Sequence, residues 1–346
     1  MASETMAAVL LTEHGDVDAL DYRTDVPVPE PAPNELLVDV AACGLNNTDV
    51  WTREAAYDGG DGGWSGDVQF PLVQGADVCG TVVEVGDRVD AERLGDRVVV
   101  DPALPGDGDD EFRALSDAAF LGSERDGGFA EYVTVPAANA HRVESDRTDA
   151  ELAAVPTAYA TAERMLNRGG VATGDTLLVT GASGGVGTGL VQLARRRDAT
   201  VVAVTSSPHA DGVRELGADH VVRRDEEPVV DGVESRVGAV DAVADVVGGD
   251  LFRPLLERLR PGGRHVVAGA VAGPVVDIDL RPLYLEHRSV VGSSMWTRSE
   301  FRDVLGYVET GALDPVLAET FDLAELPAAQ RRFTDGEFLG KLVVEP

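Results

Sequence analysis

Lysine and cysteine are almost absent from this chain: Lys341 is the sole lysine, and Cys43 and Cys79 are the only cysteines among 346 residues. Two thiols are too few for a disulfide framework or a cysteine-built structural zinc site. No run approaches the roughly 20 consecutive apolar residues of a membrane span. The start, Met1-Ala2-Ser3-Glu4-Thr5, is acidic where a secretory signal is basic and then apolar. A cytoplasmic location with no membrane partner is therefore expected. Basic residues are scarce altogether: 29 Lys and Arg stand against 61 Asp and Glu, a formal charge of -32. Such a surface repels nucleic acid and anionic membranes. The carboxylates are interleaved with apolar runs instead of being gathered in blocks, which argues against a disordered acidic tail. They read as a surface adapted to high salt, of the kind a halophile carries, where the Debye length shrinks to about 3 Å at 1 M.

The hydrophobic fraction of 44% and the length leave room for two domains, each with its own core. The first part is a series of short strands separated by Gly, Pro and Asp, namely Glu35 to Val40, Gly80 to Gly86, Asp96 to Val100 and Ala130 to Val135. This predicts a mostly antiparallel β domain. Gly59 to Gly63 and Pro105 to Asp110 are predicted loops. From about Ala150 strands alternate with helical stretches, the pattern of βαβ units around a parallel sheet. The predicted strands are Thr176 to Thr180, Thr200 to Val204, His220 to Val222, Val240 to Val247, Arg264 to Ala268 and Ser289 to Gly292. Six strands are the usual complement of a doubly wound dinucleotide fold. After about Thr297 the pattern is turn-rich again, and Gly340 to Val344 reads as a last strand rejoining the first domain. The expected domains are 1–154 with 297–346, and 155–296.

The strongest local signal is the apolar strand Leu177-Leu178-Val179-Thr180 feeding Gly181-Ala182-Ser183-Gly184-Gly185-Val186-Gly187 and then a helical run. Gly184 lets the backbone approach a pyrophosphate, Gly187 lets helix and strand pack closely, and the helix N-terminus offers free N–H groups to the anion. The set Ala182, Ser183, Gly184, Gly185, Val186 and Gly187 is the expected dinucleotide cradle, joined by Gly269 beyond the fifth strand. Coenzyme choice turns on the end of the second strand, where NAD sites usually carry an acid for the ribose hydroxyls. Val204-Thr205-Ser206-Ser207-Pro208-His209 carries none. Ser206 and Ser207 could donate to a 2′-phosphate, with Arg214, Arg223 or Arg224 supplying charge. NADPH is expected in preference to NADH.

Together, Gly44-Leu45-Asn46-Asn47-Thr48-Asp49, Gly75 to Gly86, Gly127-Gly128-Phe129-Ala130-Glu131-Tyr132, the glycine turn, Arg214 to Asp219, Leu259 to Arg264 and Gly340-Lys341-Leu342-Val343 run in one order across nearly the whole chain. This arrangement resembles the medium-chain dehydrogenase/reductase superfamily, in its quinone-oxidoreductase-like branch. The resemblance implies an α/β fold: a Rossmann parallel sheet beside a split, GroES-like, mostly antiparallel β catalytic domain, with a cleft for the nicotinamide. It also implies pairing into dimers along the last Rossmann strand. Thr161 matches the place where relatives contact the nicotinamide half of the cofactor. His209 stands where relatives often have a phosphate-binding lysine, which weakens the NADPH expectation.

Zinc-dependent members place a cysteine three residues before the position of Asp49 and a Gly-His-Glu further on. Here those places hold Asn46 and Gly75-Ala76-Asp77. Neither an amide nor a methyl group replaces a thiolate or imidazole on zinc, so no catalytic metal is expected. The alternative is an alcohol or polyol dehydrogenase with a metal site rebuilt from Asp49, Asp77, Cys43 and Cys79. Without a Lewis acid, conjugated acceptors are favoured: hydride lands on carbon, and one or two hydrogen-bond donors stabilise the charge that reaches oxygen. Zinc-free relatives carry Asn-x-x-Asp followed by a tyrosine. Asn46 is accordingly assigned a polar contact in the cleft, Asp49 a structural turn role and Tyr57 the donor's role. The six histidines are scattered and read as structural or surface residues. The small-molecule pocket would be walled by loops around Trp51, Trp64, Phe70 and Trp296. A third possibility is a protein that binds NADPH without turning it over.

Overall fold

The computed structural model describes residues 4–56, 68–104 and 119–346. The predicted loops Gly59 to Gly63 and Pro105 to Asp110, and the site candidates Tyr57 and Trp64, lie outside the described residues. The chain divides into two compact units, one of 1–157, 297–337 and 341–346, the other of 158–296 and 338–340.

In the first unit a seven-stranded sheet carries the order Leu317–Asp322, Lys341–Glu345, Glu35–Gly44, Asp77–Val85, Arg97–Val100 and Ala140–Arg142, with Tyr132–Pro136 pairing onto Glu35–Gly44. Only the pair Leu317–Asp322 with Lys341–Glu345 is parallel. Burial alternates along Tyr132–Pro136, as it must when one face of a pleated strand meets the core. A smaller sheet joins Leu20–Pro27, Thr5–Leu11 and Leu72–Val73. The predicted strands of this region are all present. Glu35–Gly44 runs four residues beyond its expected end, because Ala42, Cys43 and Gly44 pair with Cys79, Val78 and Asp77. The last strand does rejoin this unit, with Val343 and Val344 antiparallel to Gly44 and Cys43.

The second unit holds six parallel strands in the order His220–Arg223, Thr200–Thr205, Thr176–Val179, Val240–Asp245, Leu259–Val267 and Ser289–Gly292. This is the doubly wound arrangement, and the strand order reverses between Thr176–Val179 and Val240–Asp245. Ligands bind beyond the carboxyl ends of strands at such a reversal. Thr176–Val179 is buried along its whole length because helices cover both faces of the sheet. Leu178, Val202, Val204, Val222, Val243, Phe252 and Leu255 form part of the core cluster. The fifth strand begins at Leu259, earlier than expected, with an irregularity in register opposite Val240 and Ala242. The helix Gly185–Arg196 follows the first of these strands and ends on Arg195 and Arg196, whose charges complement its C-terminal dipole. Among the described residues no helix is long and apolar enough to cross a membrane.

Candidate active site

The glycine turn has the geometry its sequence implies. Gly181 adopts φ +59°, a conformation that favours glycine, and Ala182 N–H donates to Val204 O at 3.1 Å, tying the turn to the neighbouring strand. Gly184 is the N-cap of Gly185–Arg196 and supplies no capping side chain. Gly340 bridges to Gly184, and the N–H groups of the first turn beyond that bridge have no capping side chain and can face an anion. The two key glycines differ in their surroundings. A Cβ on Gly187 would lie 2.2 Å from Gly181 O and 2.6 Å from Ala182 Cα, whereas one on Gly184 would meet nothing nearer than Gly181 O at 3.5 Å. Gly187 is thus required by packing, and the space beside Gly184 is open. That open cradle at a helix N-terminus fits a dinucleotide pyrophosphate.

The neighbouring candidates converge on the carboxyl ends of the strands. Ser206 and Ser207 follow Thr200–Thr205, and Gly269 lies beyond Leu259–Val267, so close to Val246 that a Cβ would stand 2.9 Å from its carbonyl oxygen. Ser183, Gly184, Gly185 and Val186 are half-buried. Between these segments Asp245 accepts from Thr180 Oγ1 at 2.7 Å, His265 Nε2 at 3.0 Å and the Val247 and Gly248 N–H groups. Burial works against its ionisation, but these bonds hold its carboxyl below the usual range. Thr161 is half-buried in the helix Pro156–Arg168, away from these strand ends in sequence.

Around Ser207 the structure adds charge that the strand end lacks. Ser207 Oγ donates to Glu226 Oε1 at 2.8 Å, and its N–H donates to Asp225 Oδ1 at 2.9 Å. Arg223 pairs with Glu226 and Arg214 with Asp211. The acid-free second strand is therefore faced by two carboxylates from the loop after the third.

In the first unit the Asn46 region forms a buried polar cluster around the sole lysine. Lys341 Nζ donates to Leu45 O at 2.5 Å, Asn46 Oδ1 at 2.6 Å and Asp77 Oδ2 at 3.0 Å. Asp77 Oδ1 accepts from Thr157 N–H at 2.9 Å and Thr157 Oγ1 at 2.5 Å. Pairing of the last strand with Glu35–Gly44 brings Lys341 here, and Leu45 N–H to Leu342 O closes the junction. Asn46 is the N-cap of Asn47–Arg53, and its N–H donates to Asp49 Oδ2 at 2.7 Å, so Asp49 has the turn role expected of it. Burial pushes the Asp49 carboxyl up to about 7, against the Asn46 N–H and the Lys341 charge, which pull it down.

The four residues of the rebuilt metal site do not cooperate. Asp77 is committed to Lys341 and Thr157, and Cys79 Sγ contacts Asp149 Oδ1 at 3.4 Å. Burial pushes both thiols up. Among the described residues no group of three or more His, Cys, Asp and Glu could hold a metal ion. Lys341 and Thr157 were not marked by sequence reasoning. The signal for Lys341 was its singularity in a chain with 61 acids; Thr157 left none.

Comparison with known proteins places these features in context. Residues 32–145 match the family described as alcohol dehydrogenase GroES-like domain, and residues 185–310 the family described as zinc-binding dehydrogenase. A candidate alcohol dehydrogenase from Sinorhizobium meliloti 1021 is 46% identical, with a TM-score of 0.94 over 100% of this chain and 98% of its own. A 2-octenoyl-CoA carboxylase reductase solved with NADP and 2-octenoyl-CoA is 28% identical, with a TM-score of 0.86 over 100% of this chain and 88% of its own. Acryloyl-coenzyme A reductase of Sulfurisphaera tokodaii is 29% identical over 93% of this chain and 95% of its own.

The contrast between the two glycines is directly testable. Gly187→Ala should cost about 1–3 kcal/mol of stability, the usual range for overpacking, seen as a lower urea midpoint. Gly184→Ala should leave that midpoint within about 0.5 kcal/mol and weaken nicotinamide dinucleotide binding about tenfold or more, since the methyl occupies the anion's place. Equal dinucleotide affinity in Gly184→Ala and wild type would remove the turn from the cofactor site.

Proposed function

Because the chain belongs to the medium-chain dehydrogenase/reductase superfamily, we propose that it transfers a hydride from NADPH to a conjugated carbonyl, a quinone, enone or enoyl thioester, without catalytic zinc. The observation that carries this reading is the ammonium group in the Asn46–Asp77 cluster. Zinc in a catalytic site takes about three thiolate, imidazole or carboxylate ligands from the protein. At the places of the zinc-dependent pattern this chain has Asn46 and Ala76, and the acid beside them, Asp77, is already neutralised by Lys341. At about 4 Å and an effective dielectric near 20, a divalent ion beside that ammonium would meet about 8 kcal/mol of repulsion. These residues do not fit the metal.

When bound, the reduced nicotinamide supplies the hydride. The protein's part is to hold the dinucleotide phosphates at the Gly184–Gly187 turn and to meet the charge that develops on the acceptor oxygen with hydrogen-bond donors. We assign that role to Asn46 and Tyr57, and the nicotinamide contact to Thr161. Residues 1–154 with 297–346 form the catalytic domain in this reading, and 155–296 the dinucleotide domain. The relatives named acryloyl-coenzyme A reductase and 2-octenoyl-CoA carboxylase reductase, whose names carry α,β-unsaturated thioesters, support the acceptor class.

Purified protein without added metal should oxidise NADPH with at least one of p-benzoquinone, 2-cyclohexenone and crotonyl-CoA, and should contain far less than one zinc per chain by elemental analysis. No turnover across the panel, or about one zinc per chain, would overturn the reading.

Coenzyme choice has a sharper test. Ser207 and Arg223 can serve a 2′-phosphate beside Ser206 only if Glu226 releases the Ser207 hydroxyl and the Arg223 guanidinium. Glu226→Gln should therefore tighten NADPH binding severalfold and leave NADH nearly unchanged, measured by fluorescence titration at matched high salt. An equal shift for both coenzymes would separate this turn from phosphate recognition.

We also propose a homodimer, or a higher homo-oligomer built from it. Ser289–Gly292 is the outermost strand of its sheet, and nearby Val275, Leu280, Tyr284, Leu285 and Val290 are between 44% and 89% exposed. An apolar, unpaired strand edge is what natural proteins cover. Leu285→Glu with Val290→Glu should halve the mass found by light scattering in molar salt while the thermal midpoint holds. An unchanged mass, or a wild-type monomer, would sink the proposal.

A further inference from the structure

We infer that Lys341 is a positioning residue: it fixes the Asn46 side chain with its carbonyl on the ammonium and its N–H2 group turned away from it, which makes Asn46 the donor to the substrate oxygen. This deepens, and rests on, the hydride-transfer reading above. An ammonium group has three N–H donors and no lone pair. Here all three are directed, to Leu45 O, Asn46 Oδ1 and Asp77 Oδ2, and the residue is only 3% exposed. Lys341 therefore has no proton left for a ligand and acts through another group.

That group is the Asn46 amide. A donor-only partner can face only the amide oxygen, so Lys341 selects which end of the amide faces it and reinforces the capping box in which the same side chain faces the Asp49 N–H. The amide nitrogen makes a single long contact, 3.4 Å to Gly44 O. One N–H thus has no partner among the described residues, and Asn46 keeps 8% of its surface exposed. A cation on the carbonyl end also polarises the amide, which strengthens its N–H as a donor. Asp77 completes the device. Held on one oxygen by Thr157 and on the other by Lys341, it balances the buried charge and aims the ammonium.

Removing Lys341 alone would strand the Asp77 charge, so the test uses the charge-neutral pair Lys341→Met with Asp77→Asn, together with Asn46→Ala and the triple variant. The pair should lower kcat about tenfold, at the small end of single oxyanion-donor losses, with dinucleotide affinity within about twofold of wild type. Asn46→Ala should lose about as much. In the triple variant kcat should match Asn46→Ala within about twofold, because the lysine acts only through the asparagine. An additive loss of about a hundredfold in the triple, or an unchanged kcat in the pair, would overturn the inference. If wild type turns over none of the three acceptors, the hydride-transfer reading fails first, and the inference is then read from Asn-selective 15N NMR. The Asn46 side-chain amide, identified by its loss in Asn46→Asp, should be well dispersed and slow to exchange in wild type and collapse toward free asparagine in the pair. Indistinguishable amide signals in the two proteins would overturn it.

Discussion

The buried ion pair of Lys341 and Asp77 is the constraint around which the first unit is organised. Two charges removed from water must recover several kcal/mol each through mutual attraction and complete hydrogen bonding, and this pair meets both conditions. Every polar contact made by the ammonium, and both oxygens of the carboxylate, are satisfied within the cluster. The partners come from four separate segments: the last strand, the turn after Glu35–Gly44, the start of Asp77–Val85 and the beginning of Pro156–Arg168. Losing one member would leave a buried unpaired charge, a defect of about 3–5 kcal/mol. The cluster thus ties distant parts of the chain to one geometry through a cation that is part of the chain.

A buried ammonium group sets the chemistry that this cluster can support. A metal ion polarises a bound oxygen directly. Lys341 is sealed from ligand by its own acceptors and can only orient and polarise its neighbours. Hydrogen-bond donors are weaker than a Lewis acid, and conjugated acceptors, whose charge is spread before it reaches oxygen, place the smallest demand on them.

The second unit obeys a different constraint, close approach of backbone. Gly187 is pressed against Gly181 and Ala182, which draws the helix onto the strand, and the same turn leaves the space beside Gly184 clear. Asp245, fed by Thr180, His265 and two backbone N–H groups, braces the point where strand order reverses. Rigid strand ends of this kind are how an open parallel sheet presents loops to a ligand.

The sequence alone determined the elements whose signals are local. All six parallel strands, the glycine turn and the last strand's return are written in runs of apolar residues punctuated by glycine, because strand period and turn chemistry depend on neighbours a few residues apart. The loss of the metal-ligand pattern at Asn46 and Ala76 was legible for the same reason. What replaces that pattern was not. Lys341 lies 295 residues from Asn46, and only strand pairing at Val343 and Val344 brings them together. Nor could the acid-free Val204–His209 segment reveal Asp225 and Glu226, which reach Ser207 from another strand's loop. Periodicity carries no information about which distant charges will meet; the three-dimensional register of the sheets decides it, since burial obliges each charge to find a partner wherever the fold places one.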